Sequence, residues 1–226
     1  MLYLKRIISL FWEPTRSFTS IKDEKVNWMD FLIPFLIVTI ISLATLPYVT
    51  PIAIKEHIAR IEKSDKIPEA QKELAIERIE SGQGKPFAYI MSPVGIAISL
   101  FFIALLVQLI SNFLLGGEIK YLKSLAIVSY TQIIPTIGYL IKVPLMVSKD
   151  STQVYTSLAL FLEPNGSFLF KFFNSIDIFT VWRVLLIGLG IAVLNEIKPG
   201  KAIITFILLW LAFAAIIAAI PNLSAF

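Results

Sequence analysis

Apolar residues along this chain fall in long uncharged runs separated by short polar stretches. From Pro86 to Gly117 there is no Asp, Glu, Lys or Arg. A helix rises about 1.5 Å per residue, so roughly 20 such residues cross a hydrocarbon layer of about 30 Å. Within lipid each segment must satisfy its own backbone polar groups, which makes these runs helices. The pattern predicts an all-α, polytopic helical membrane protein with five transmembrane helices, over about 28–49, 88–115, 122–147, 178–194 and 202–220. Trp28 and Tyr48 mark the interfaces of the first, which holds Pro34 and Pro47 near its ends. The second ends at Gly116-Gly117, and the third is expected to break at Pro135 and again at Pro144. Short loops make the second and third antiparallel, and likewise the fourth and fifth. Gly188, Gly190 and the pair Ala214 and Ala218 offer small faces for close helix packing.

The segments between these runs have a different character. In the first 27 residues, Leu4, Ile7, Ile8 and Phe11 recur at helical spacing beside Lys5 and Arg6, which predicts a helix lying in the membrane interface. Pro14 suits the first turn of a second short helix, with Phe18 and Ile21 toward lipid or protein and Arg16, Lys22 and Lys25 toward water. Asp30, at the margin of the first span, is expected in water. Residues 50–87 turn abruptly charged, with seven basic residues against seven acidic. They predict an extramembrane helical hairpin, with favourable pairs at Glu56 and Arg60 and at Glu62 and Lys66. Residues 151–176 hold two apolar pieces too short to cross, including Phe168, Phe170, Phe172 and Phe173. They are expected to be interfacial or re-entrant. All 226 residues then form one membrane domain.

Composition agrees. Hydrophobic residues make up 57% of the chain and charged ones 16%, below the roughly 25% of soluble domains, so lipid does part of the solvating. With no cysteine, disulfides, thiolate catalysis and the usual structural zinc sites are excluded. His57 is the one histidine, and a metal site would need partners the sequence does not supply. The net charge of +4 carries no basic block, which argues against nucleic acid. Lys5 and Arg6 precede an apolar run too short for a cleaved signal peptide, so the start is expected to be retained. No pattern of catalytic residues is present, and the chain is expected to be neither an enzyme nor the holder of a cofactor.

Polar residues inside the predicted spans are Gln108, Asn112, Gln132, Lys142 and Arg183. A charge at the bilayer centre costs at least about 2.5 kcal/mol, so such side chains snorkel, face protein or line a water cavity. With the kink expected at Pro135, these residues are a candidate pocket for an anionic headgroup or solute, and a small transporter or channel is one functional reading.

The order and spacing of several motifs supply the other. Leu10-Phe-Trp-Glu-Pro-Thr-Arg-Ser-Phe18, the Gly116-Gly117 loop, Ser129-Tyr-Thr-Gln-Ile-Ile-Pro135, and Trp182 followed by Gly188-Leu-Gly190 and Trp210 resemble the Yip domain family of five-span, Ypt/Rab-interacting membrane proteins. The resemblance covers nearly the whole chain apart from the charged hairpin. It implies a non-enzymatic membrane scaffold or trafficking-like adaptor with its N-terminus in the cytosol, engaging lipids and other membrane proteins or further copies of itself. Eukaryotic relatives carry a long cytosolic N-terminal region, whereas here about 27 residues precede the first span. The chain therefore looks like the short prokaryotic branch in a cytoplasmic membrane, with a eukaryotic endomembrane as the alternative, and a Rab-type GTPase partner does not carry over. Lys and Arg counts tie between the two sides, so charge alone does not set the orientation.

Overall fold

The structure, a computed structural model, describes residues 2–64, 67–82 and 85–220. It is 82% helical. Among the described residues there is no strand, only an isolated bridge between Ser157 and Asp177. Among the described residues ten α-helices follow one another: α1 (Leu2–Trp12), α2 (Pro14–Asp23), α3 (Met29–Glu62), α4 (Glu69–Glu80), α5 (Lys85–Leu109), α6 (Tyr121–Thr131), α7 (Ile133–Lys149), α8 (Phe168–Ser175), α9 (Ile178–Asn195) and α10 (Pro199–Ala219). Among the described residues, five stretches are long and apolar enough to cross a membrane: α3, α5 with the π-turn after it, α6 with α7, α9, and α10.

The helices sort into two compact units. The first comprises Met1–Ile37, Ser99–Pro135 and Tyr155–Phe226. Its centre is α6, in which every residue from Ser124 to Thr131 is buried. That helix is apolar or small on all sides, as a helix enclosed by others must be. Gly188 of α9 meets α10 so closely that a Cβ there would fall 2.7 Å from Ile203 Cα. At Gly190 a Cβ would fall 3.0 Å from the Phe18 ring and 3.1 Å from Ile127, so α2, α6 and α9 converge at this point. Glu196 ends α9 in the left-handed region, and Pro199 opens α10 at a position where its missing N–H is no loss.

The end of α5 is a π-turn over Ile110–Leu114. Gly116 follows with φ of +73°, which a residue with a Cβ would rarely adopt. Residues 155–177 turn back on themselves through Ser157 Oγ donating to Asn174 Oδ1 at 2.9 Å. Asp177 then caps α9 by accepting from Phe179 N at 2.9 Å.

The second unit comprises Val38–Ile98 and Thr136–Val154. Ser42 and Ser92 share a hydrogen bond of 3.0 Å between α3 and α5. Beyond the apolar part of α3, the Glu56 carboxylate accepts from Ser151 Oγ at 2.6 Å, from Thr152 N at 3.0 Å and from the Thr152 hydroxyl, gripping the chain just past α7. Lys55 pairs with Asp150 beside it.

Several sequence expectations change here. The first arm of the charged hairpin is the continuation of α3 itself, which runs 34 residues through Pro47 and Pro51 to Glu62. At about 1.5 Å per residue such a helix is roughly 50 Å long and outreaches the hydrocarbon layer. A switch from apolar to charged residues changes the solvent, not the helix propensity, and the second arm, α4, is the separate element. Glu56 uses its carboxylate on residues 151 and 152, and Arg60 Nε donates to the Glu56 backbone carbonyl at 3.3 Å. The partner expected for Glu62, Lys66, lies outside the described residues. The third span breaks at Gln132, one turn before Pro135. Pro135 cannot donate to the carbonyl four residues earlier and so sits in the first turn of a new helix, while α7 continues through Pro144.

Candidate functional site

Helix α1 carries apolar residues on two faces, and the structure turns the less obvious one inward. Arg6 and Leu10, four residues apart, are 2% and 0% exposed. Leu4, Ile8 and Trp12, at the same spacing on another face, are 57%, 62% and 83% exposed. The short link at Glu13 and the proline at the first position of α2 then reverse the chain, so that α2 lies along α9 with Phe18 and Ile21 fully buried. Phe11 meets Trp182 of α9 edge-on at 5.8 Å.

Arg6 is thereby delivered to Asp30, in the first turn of α3, which is 1% exposed. The guanidinium pairs with the Asp30 carboxylate. It also donates to Ser20 Oγ and to the Ser20 carbonyl, each at 2.9 Å, and reaches Glu24 at 3.4 Å. Asp30 takes two further donors, the Tyr130 hydroxyl of α6 at 3.0 Å and the Asn27 N–H at 3.0 Å. Ser17 Oγ donates to the Arg6 carbonyl at 2.9 Å. A buried ion pair repays its desolvation only when its remaining donors and acceptors are also satisfied, and here they largely are. The expectation that Asp30 stays in water is overturned: it is the acceptor that ties α1, α2, α3 and α6 together.

A second polar cluster lies where the loops of this unit meet. Lys22 and Glu196 form an ion pair at 2.5 Å. The hydrogen bond from Lys22 holds the Glu196 carboxyl below the usual carboxylate range and raises the Lys22 ammonium. Lys123 Nζ donates to the Lys22 carbonyl, and Asn195 Nδ2 donates to Ser111 Oγ at 2.8 Å.

The residues singled out from sequence are distributed differently. Gln108 Nε2 and Asn112 Nδ2 both donate to the Ile119 carbonyl at 3.1 Å, and Asn112 Oδ1 accepts from Ile119 N at 2.9 Å. They close the loop after α5. Gln132 is the half-buried C-cap of α6, and Pro135 is half-buried just beyond it. Lys142 belongs to α7 in the second unit. Arg183 is half-buried on α9, and its Nε and Nη2 are covered by protein with no hydrogen-bond partner. The structure joins Gln108 and Asn112 at one carbonyl and sets Arg183 apart from them on another helix.

Sequence reasoning missed Arg6, Asp30 and Tyr130. The available signal was Arg6 sharing a helix face with Leu10, opposite an acid in the first turn of an apolar span. Nothing in this arrangement pairs a nucleophile with a base. Among the described residues no three His, Cys, Asp or Glu side chains converge as metal ligands. The site fastens helices together, and its outward product is the exposed stripe of Leu4, Ile8 and Trp12.

Compared with known proteins, the chain matches the family described as the Yip1 domain over residues 8–220. No curated protein and no solved structure matches it.

Proposed function

This chain belongs to the Yip1 domain family, and we propose that it is a non-enzymatic membrane scaffold that organises lipids and neighbouring membrane proteins through its N-terminal helix pair. One observation carries the reading: the buried Arg6, Asp30 and Tyr130 cluster holds α1 against the helical core while Leu4, Ile8 and Trp12 point away from it. A rigidly seated amphipathic helix with a tryptophan at its end suits the headgroup boundary of a bilayer. The companion proposal is that this end faces the cytoplasm of a prokaryotic cell and the far end of α10 the opposite side.

The test is a purification in gentle detergent, with bound lipids and proteins identified, of the chain and of an Ile8→Glu, Trp12→Glu variant. The expected result is a reproducible set of membrane proteins or lipids, depleted in the variant at unchanged monodispersity. Equal recovery from both would refute the role of α1. Because the chain has no cysteine, single cysteines placed in the α2–α3 link and in the turn after α9 report which side is cytoplasmic.

The buried, unpartnered Nε and Nη2 of Arg183 support a second reading, a small transporter or channel. Reconstituted vesicles separate the two, since solute flux above that of empty vesicles belongs to the second alone.

A further inference from the structure

Arg183 is the charged group in the first unit whose surroundings ask for something the chain does not provide. Its Nε and Nη2 are both enclosed and both lack a partner. These two donors lie on one edge of the guanidinium and form the fork that grips a carboxylate or phosphate with two parallel hydrogen bonds. A snorkelling arginine would carry its head to the boundary and wet it. Here the fork is covered by protein. Leaving a buried cation unpaired is costly, and buried charges are ordinarily paired.

Position narrows the class of partner. Arg183 lies seven residues, two helical turns, before Gly190 on α9 and so shares the face that Gly190 turns to Phe18 and Ile127. That face looks toward α6, whose helix ends at Thr131 with the first-turn proline of α7 close behind. The flanking residues Trp182 and Val184 are apolar, and the Trp182 ring is occupied by Phe11. A compact oxyanion at the junction of helices within an apolar span is the chemistry that fits.

We propose that Arg183 binds an oxyanion through Nε and Nη2, taken from the phosphate of an anionic phospholipid or from a small phosphate-bearing solute. This site is independent of the N-terminal helix pair and of the scaffold reading, and it stands or falls by different measurements.

The experiment uses the full chain in gentle detergent, delipidated and then offered phosphatidylglycerol, phosphatidylcholine or inorganic phosphate, with native mass spectrometry and thermal unfolding as readouts. Arg183→Lys keeps the charge and loses the fork, Arg183→Leu loses both, and Lys171→Gln removes a cation elsewhere. The expected result is retention of phosphatidylglycerol over phosphatidylcholine by about tenfold or more, lost in Arg183→Lys and kept in Lys171→Gln. Stabilisation by inorganic phosphate alone, again lost in Arg183→Lys, supports the same site with a soluble source. If Arg183→Leu fails to fold, Arg183→Lys decides. Binding of neither probe, or equal binding by the wild type and Arg183→Lys, overturns the proposal.

Discussion

Replacing Asp30 by Asn keeps the shape of the side chain and removes the charge that Arg6 was buried to meet. Arg6 and Asp30 are each about 1% exposed as side chains, so water cannot take over the lost interaction. Breaking one half of such a pair in a soluble protein costs roughly 3–5 kcal/mol. In a membrane the unfolded reference finds other partners, and single hydrogen bonds average only about 0.6 kcal/mol, so the lower end, about 3 kcal/mol, is the working value. For a chain of this size each kcal/mol shifts Tm by about 2–4 °C, giving a fall of about 6–12 °C. Tyr130→Phe removes one donor to the same carboxylate and leaves the ion pair, so about 1 kcal/mol and 2–4 °C are expected. The double variant Arg6→Met, Asp30→Leu replaces both charges by apolar groups and should recover most of the loss. Tryptophan fluorescence on heating in detergent reads this directly, because Trp182 is packed against Phe11 of α1. A Trp182-only background isolates that signal. The reasoning fails if Asp30→Asn melts within 2 °C of the wild type, or if the double variant loses as much as the two singles added together.

Gly188→Val should destabilise by at least about 1–3 kcal/mol, because its Cβ would meet Ile203 backbone, whereas Gly95→Ala meets nothing within 4 Å and should be neutral or gain up to about 1 kcal/mol; thermal unfolding compares them. For the Lys22 and Glu196 pair, the lowered carboxyl means its contribution is present at neutral pH and is lost as pH falls through the folded-state value. The Tm difference between the wild type and Glu196→Gln should therefore shrink toward zero in acid, and a difference that grows would refute the assignment. Asn112→Leu removes both bonds that Asn112 makes to Ile119, so proteolysis after Gly117 should quicken without loss of the bundle.

Where the chain is greasy and uncharged, its structure was readable in advance. Positions such as Gly188 and Gly190 announced close helix contacts because a missing side chain has few other uses inside a membrane span. Charge was harder to read. Most ionisable residues at a span margin sit in water, so the face that Arg6 shares with Leu10 was a faint sign of its pairing with Asp30, and Tyr130 lies 100 residues beyond Asp30. Gln108 and Asn112 looked like the polar wall of a pocket because their spacing sets them on one face. The local spacing could not reveal that a backbone group seven residues past Asn112 would fold back to occupy both. Arg183 was recognised as costly, and only the three-dimensional structure shows which edge of it is left over. Helix ends misled for a related reason: Pro51 and the charges after it mark a change of surroundings, which a helix as long as α3 simply passes through.

The seating of Arg6 also fixes an order of events during synthesis. Helix α1 carries a cation whose partner carboxylate is made 24 residues later, and that carboxylate in turn waits a further 100 residues for its phenol. Until the third crossing has been inserted, Asp30 lacks the Tyr130 hydroxyl and the site that holds α1 is incomplete. The N-terminal helix pair is therefore made before its partners and is fully seated only once α6 and α9 are in place.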